Sequence, residues 1–148
     1  PGFVAGQDCH AVIETKRGHD LGRVIWAGQA EADTGKPGLI EGRGEERVLR
    51  APLAGRLEAV HEIGDIVEEG EVLARIQGPE GQGEVRAGFR GMLRGMLRPG
   101  LEVARGLKIG DLDPRCVVEH CYTVSDKSRA IAGGILEALL AGKAGYGL

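Results

Sequence analysis

The feature that most restricts how this chain can fold is a tandem duplication. Sliding the sequence along itself by 36 positions (86 minus 50) places Arg50-Ala51 on Arg86-Ala87, Gly55 on Gly91, Leu57 on Leu93, Gly64 on Gly100, Val67 on Val103 and Gly70 on Gly106, without a gap. Each copy reads strand, turn, short strand, turn, strand. In the first copy Leu53, Gly55, Leu57, Ala59 and Ile63 share one parity, and Arg56, Glu58 and Glu62 take the other, the alternation of a half-buried strand. An even shift preserves parity. Phe89, Gly91, Leu93, Gly95 and Leu97 therefore line the same face in the second copy, while Arg90, Met92, Arg94, Met96 and Arg98 face away as a solvated sheet surface. Turns are predicted at Gly64-Asp65, Glu69-Gly70, Pro99-Gly100 and Arg105-Gly106, because glycine accepts positive φ without a Cβ clash. Units this small cannot each bury a face alone, so residues 48–112 are expected to close into one small barrel-like sandwich.

The spacing of Arg90, Arg94 and Arg98 would also suit one side of a helix. Two interior glycines, at about 1 kcal/mol each against alanine, and the alignment with the first copy decide for a strand.

Residues 1–47 predict a hairpin followed by a long loop. Cys9, Ala11 and Ile13 alternate with His10, Val12 and Glu14, and after a polar tip the run Arg23 to Ala27 returns. The tip gathers Lys16, Arg17, His19 and Arg23, enough positive charge to hold a phosphate or carboxylate, although a solvated turn explains the same residues more simply. Residues 28–46 carry breakers, with turns expected at Asp33-Thr34-Gly35 and Pro37-Gly38. In residues 113–148, Cys116 to Val124 reads as a connection or edge strand, and Ser125 as an N-cap with Asp126 at the positive end of a helix. Ile131, Ile135, Leu136, Leu139 and Leu140 supply an apolar stripe, Ala132-Gly133-Gly134 invites close backbone approach, and Gly142 to Leu148 looks frayed. All three segments are expected to form one compact domain.

Composition narrows the partners. Net charge is −3, 3% of residues are aromatic and no arginine run is interleaved with rings, which argues against nucleic acid. The 26 glycines in 148 residues, against a usual share of about 7%, fit many tight turns. No apolar run approaches the roughly 20 residues needed to span a bilayer, and the opening segment lacks the charged start and apolar middle of a signal peptide. Three irregularly spaced cysteines do not make a disulfide framework, so a cytoplasmic, reducing location is expected. A start at Pro1 is expected to reflect a boundary, a proteolytic cut or a missing upstream domain.

Candidate chemistry is sparse. Cys9-His10 and the set Cys116, His120, Cys121 invite a metal reading, but adjacent His120 and Cys121 on a strand would point to opposite faces, and no standard zinc spacing is present. Cys9 shares its parity with Ala11 and Ile13, as a small core residue would. His61, on the apolar parity opposite Leu97 of the second copy, reads as a core histidine. Cys121, near Lys127 and Arg129, could have its pKa lowered if the fold brings them together. Ser125 and Ser128 lack a glycine elbow, and no phosphate-binding loop ends in lysine-serine. Nothing supports an enzyme acting alone.

Two resemblances add to this reading. Ala51-Pro52, Gly55, Gly64-Asp65, Val67, Gly70 and Val72-Leu73-Ala74 resemble the biotinyl/lipoyl carrier half-motif. That implies a mainly β chain, a barrel-sandwich hybrid of two half-repeats, here with an N-terminal hairpin and one C-terminal helix. The carrier family holds its cofactor on a lysine at the tip between the halves. The join here is Gly78-Pro79-Glu80-Gly81-Gln82-Gly83, and the lysines are Lys16, Lys36, Lys108, Lys127 and Lys143, so no covalently attached cofactor is expected.

Longer motifs, Asp8 to Thr15 with Arg17 to Ile25, and Cys121 to Lys127 with Arg129-Ala130-Ile131, resemble the YqeB-type selenium-dependent molybdenum hydroxylase system proteins, together with Glu45 to Pro52 and Gly110 to Arg115. Members of that family are longer, with a glycine-rich, nucleotide-binding-like segment upstream. The resemblance implies an accessory maturation factor, a platform for the cofactor intermediate or for its partner, the client molybdenum hydroxylase, or for other maturation proteins or a second copy. His19, Arg23, Ser125, Asp126, Lys127 and Arg129 would then contact an anionic group of a molybdopterin-type ligand. Cys9 and Cys121 would be available for sulfur or selenium species. The rival reading is a structural or dimerisation module related to lipoyl-like domains.

Overall fold

The computed structural model describes residues 2–32 and 37–145, the last three by backbone only. The turn expected at Asp33-Thr34-Gly35 and the end of the tail, like Pro1, lie outside the described residues. The chain divides into two compact units, one made of Pro1–Lys36 with Val124–Leu148 and the other of Pro37–Thr123. These divisions differ from the sequence boundaries at 47 and 112, and from a single compact domain, for a visible reason. Arg47, 4% exposed, donates through Nε to the Leu112 carbonyl at 3.1 Å and through Nη2 to Asp111 Oδ2 at 3.1 Å, which ties its own segment to the sheets. Within that segment the turn falls at Glu41 and Gly42 (φ 49° and 76°), closed by an Ile40–Arg43 bridge, rather than at Pro37-Gly38.

In the first unit, β1 (Val12–Ile13) pairs antiparallel with β2 (Val24–Ile25), Val12 opposite Ile25. A two-residue ladder is weak by itself. The hairpin gains a second support from Glu14, 5% exposed, whose carboxylate accepts the Lys16 N–H at 2.8 Å and the Glu31 N–H at 2.9 Å. The unit's other element is α1 (Asp126–Gly145). Ser125 caps it, its hydroxyl oxygen accepting the Ser128 N–H at 3.1 Å.

The second unit holds β3 (Val48–Arg50), β4 (Gly55–Ala59), β5 (Ile66–Val67), β6 (Val72–Gly78), β7 (Gly81–Arg86), β8 (Gly91–Met96), β9 (Glu102–Val103) and β10 (Lys108–Asp113). Adding 36 to β4, β5 and β6 gives 91–95, 102–103 and 108–114, the positions of β8, β9 and β10. The strands form two antiparallel four-stranded sheets, β3-β10-β8-β5 and β7-β6-β4-β9. Both sheets are open. β5 and β9 are two residues long, too short to carry a hydrogen-bonded ladder from one sheet to the other. The biotinyl/lipoyl barrel-sandwich expected from the sequence is therefore not what forms, although mainly β structure with one C-terminal helix describes the chain.

The core follows the parity of the repeat. Leu57, Leu73, Ile76, Phe89, Leu93, Ile109 and Leu112 are at most 2% exposed. Met92 departs from the expected solvated face and is fully buried. The segment read as a connection or edge strand is a connection, with a 3-10 turn at Val118–Cys121 that covers this side of β8. Cys121 Sγ lies 3.7 Å from Met92 Sδ, and the Tyr122 hydroxyl donates to the Ile63 carbonyl at 3.3 Å. The β6–β7 join is a tight tip, Gly78 paired with Gly81 around Pro79-Glu80, with no amine.

Candidate functional site: the hairpin and helix start

The two terminal motifs meet within one unit. Arg17 at the hairpin tip and Asp126 in the first turn of α1, 109 positions apart in sequence, form a two-pronged ion pair with Nη2 to Oδ1 at 2.9 Å. Beneath it the backbones touch. A Cβ on Gly134 would stand 2.1 Å from the Gly22 carbonyl oxygen, and a Cβ on Gly22 (φ +87°) would stand 2.5 Å from that of Ala130. Only glycine permits this approach at both positions. Gly134 provides the closeness expected of Ala132-Gly133-Gly134, whereas Gly133 faces open space.

The tip's cations are largely committed to the protein's own carboxylates. Lys16 pairs with Glu31, Arg17 with Asp126, and Arg23 with Asp20 at 3.3 Å. Asp126, expected to contact a ligand, thus serves the hairpin–helix junction, Arg23 pairs within the hairpin, and Ser125 serves as the cap. Of the expected anion contacts, His19, Lys127 and Arg129 make no ion pair among the described residues. His19 and Arg129 are exposed and Lys127 is half-buried.

On the same unit a cavity of about 320 Å³ is lined by Cys9, His10, Ala11, Ile13 and Trp26 from the hairpin and by Ile135, Ala138, Leu139 and Gly142 from α1. Cys9 is half-buried at its wall rather than packed in a core. Ile135 and Leu139 belong to the apolar stripe expected of the helix, whereas Trp26, Ala138 and Gly142 were not singled out by pattern. The available signal was a lone tryptophan adjoining a strand whose partner carries Cys9.

Cys121 belongs to the sheet unit. Burial pushes its thiol pKa up, Arg94 pulls it down and Asp113 adds to the rise, leaving it raised. The lowering expected from Lys127 and Arg129 is not what the fold produces, because the charges acting on the thiol are those of β8 and β10. Nearby, Asp113 is fully buried. Burial pushes its carboxyl up, but the Arg115 side chain and backbone N–H and the Arg94 charge outweigh this and hold it down at about 2. His61 is not a core residue. It is half-buried in a cleft of about 580 Å³ beside Glu62, Leu97 and Arg98, with Nδ1 3.3 Å from Asp65 Oδ2. Among the described residues no three His, Cys, Asp or Glu side chains converge to hold a metal, and no helix is long and apolar enough to cross a membrane.

Fold and site together define a chain of two units: a pair of open sheets built from a duplicated segment, and a hairpin clamped to a helix over an apolar cavity. No family model matches the chain. It is 54% identical over 140 residues to the uncharacterized protein YqeB of Escherichia coli (strain K12), an alignment covering 95% of this chain and 25% of YqeB. The chain is thus YqeB-like along nearly all its length and spans about a quarter of that relative. Among solved structures it is similar to an aspartoacylase family protein from Mesorhizobium loti, at 19% identity and a TM-score of 0.41 over 45% of this chain and 22% of that one. It is also similar to a succinylglutamate desuccinylase/aspartoacylase from Rhodobacter sphaeroides, at 26% identity and a TM-score of 0.43 over 47% and 22%. At these scores the likenesses carry neither fold nor activity across.

Proposed function

We propose that this chain acts in the cytoplasm as an accessory in the maturation of selenium-dependent molybdenum hydroxylases, serving as a non-catalytic platform for an anionic cofactor intermediate or for the client enzyme. The observation that carries this reading is the meeting of the two long terminal motifs at the Arg17–Asp126 junction. Segments so far apart in sequence, joined over glycine contacts that tolerate no side chain, fit one composite surface better than two independent turns. His19, Lys127 and Arg129 are the cations placed to meet a phosphate or an acidic partner surface. Cys9 is a thiol on the same unit.

The test is genetic and analytical. Deletion of the host gene, complemented by the wild-type chain or by a His19→Ala/Lys127→Ala/Arg129→Ala variant within its full-length protein, is followed by purification of the client hydroxylase. Selenium content is expected to fall in the deletion and the variant while molybdenum is retained. Unchanged selenium in both would refute the role.

A second reading, a partner-binding or dimerisation module, is favoured by α1, where Leu136 and Leu140, outside the cavity lining, are 58% and 61% exposed. Sedimentation of the wild type against Leu136→Lys/Leu140→Lys separates the two, since only an association module changes mass.

A further inference from the structure

The duplication that builds the sheet unit also builds a cleft, and builds it symmetrically. A shift of 36 residues carries the strand order β7-β6-β4-β9 onto β3-β10-β8-β5. The hydrogen bonds follow the same shift. Leu93 donates to the Asp65 carbonyl at 2.8 Å and accepts the Gly64 N–H at 2.8 Å, while Leu57 donates to the Leu101 carbonyl at 2.9 Å and accepts the Gly100 N–H at 2.7 Å. Each copy thus grips a corner of the other, the reciprocal pattern of a two-fold axis. The cleft of about 580 Å³ is lined by residues 59–63 of the first copy and 96–99 of the second. The shift matches these two corners, so the cleft opens on the axis between them.

On that axis the copies differ in chemistry. Val60 corresponds to Met96, but His61 corresponds to Leu97 and Glu62 to Arg98. Identical corners would present the same groups twice. This cleft instead presents a carboxylate from one copy and a guanidinium from the other. Both side chains are exposed, and among the described residues neither forms an ion pair. The corner carrying Glu62 is held by Asp65, whose Oδ2 accepts the Glu62 N–H at 2.9 Å and lies 3.3 Å from His61 Nδ1. The corner carrying Arg98 is held through Leu97, which donates to the Ile109 carbonyl at 2.7 Å. Met96 and Leu97, half-buried against the core, give the cleft an apolar floor. Its volume corresponds to a width of about 8 Å, the cube root of 580. The ammonium and carboxylate of one α-amino acid lie about 3 Å apart, and a charged hydrogen bond at each end adds about 2.8 Å, so one such zwitterion covers about that width.

We propose that this axial cleft binds a free α-amino acid with a large apolar side chain. The ammonium meets Glu62, the carboxylate meets Arg98, and the side chain lies against Met96 and Leu97. A guanidinium offers a carboxylate two parallel N–H donors. The exposure of Glu62 and Arg98 suits a ligand charged at both ends, because neither of its groups has to be fully dehydrated on entry. The site lies wholly within the sheet unit. It goes beyond the maturation reading and shares none of its residues, so the two can fail separately.

The chain has two methionines, Met92 and Met96, both on β8. With their methyl groups isotope-labelled for NMR, Met96 reports the cleft and the fully buried Met92 reports the fold; Met96→Leu assigns the two signals. The 148-residue chain is titrated with L-phenylalanine, N-acetyl-L-phenylalanine, L-phenylalanine amide and glycine. Phenylalanine is expected to move the Met96 signal saturably. The acetylated form, lacking the ammonium, and the amide, lacking the carboxylate, should each bind about fivefold more weakly, the worth of one exposed ion pair. Glycine should leave Met96 unmoved where phenylalanine saturates it. Glu62→Gln should weaken phenylalanine about fivefold without weakening the acetylated form, and Arg98→Gln should do the same without weakening the amide. An unchanged Met92 signal shows that a variant is folded; if one is not, the four compounds compared on the wild type decide alone. A shift that does not saturate, a blocked form that binds as well as phenylalanine, glycine that moves Met96 equally, or folded charge variants with unaltered affinity would each overturn the assignment. None of these results bears on the selenium content of the client enzyme, which tests the platform role.

Discussion

Gly133 and Gly134 are neighbours in α1, yet alanine should have opposite effects at the two. At Gly133 a new Cβ meets nothing within 4 Å, so Gly133→Ala gains the full difference in helix propensity, about 1 kcal/mol. At Gly134 the same gain is offset because the Cβ would stand 2.1 Å from the Gly22 carbonyl oxygen and 3.1 Å from Ile13 Cγ2. A carbonyl in the backbone cannot rotate aside as a side chain can. The hairpin must withdraw by at least about 1 Å to regain ordinary contact, and overpacking of this kind costs about 1–3 kcal/mol. The withdrawal also lengthens the Arg17–Asp126 pair above it. Gly134→Ala is therefore expected to be net destabilising by about 1–2 kcal/mol, and Gly133→Ala stabilising by about 1 kcal/mol. Urea unfolding followed by Trp26 emission reads the unit that contains both positions. Midpoints should move apart, and N-ethylmaleimide should reach Cys9 faster in Gly134→Ala. Two alanines that shift the midpoint in the same direction by similar amounts would refute the claim that hairpin and helix are joined by direct backbone contact.

Other outcomes follow from the buried carboxylates and the thiols. Asp113→Asn should destabilise the sheet unit by about 2 kcal/mol near neutral pH, the linkage value for a carboxyl held at about 2 rather than 3.8. Because the folded pKa is depressed, this contribution is complete above about pH 5 and fades as pH falls toward 2. Denaturation curves of wild type and variant should therefore converge in acid, and a gap that persists at pH 2 would count against the ion pairs. Glu14 follows the same sign: N–H donation from Glu31, then from Lys16, outweighs burial and lowers its pKa. Glu14→Gln offers one acceptor oxygen where two N–H groups need one each, so it should cost about 1–3 kcal/mol. The loss, read by Trp26 emission, should shrink as pH drops below about 4.5. Cys121, with its pKa raised and its thiol against Met92, should react with iodoacetamide more slowly at pH 7.5 than a free cysteine does. A rate equal to or above that of free cysteine would restore the reactive-thiol reading.

The repeat made the strands legible. Parity in Leu57 and Leu93, and glycines matched at 36 positions, predicted where β4, β5, β8 and β9 begin and turn, because alternation and positive φ are local properties. How the sheets join is not local. It depends on edge strands of two residues, which hydrophobic pattern does not distinguish from strands long enough to close a barrel. Met92 shows the same limit from the other side: its parity says solvent, and only the return of Cys121 and Tyr122 from a later part of the chain buries it. At the site, the residues of the tip and helix start were visible as motifs, but their partners were not. Lys16, Arg17 and Arg23 looked like an anion trap because the sequence does not reveal that Glu31, Asp126 and Asp20 already answer them.

The strand orders carry a consequence for how the sheet unit can come apart. In each sheet the two inner strands derive from one copy of the duplication, and the two outer strands from the other. A single copy thus contains the middle of one sheet and the margins of its neighbour, and can complete neither. Cleaved at the Pro79-Glu80 tip, the halves would have to find each other again to have any hydrophobic interior at all, and a lone half could satisfy its strands only by embracing a twin.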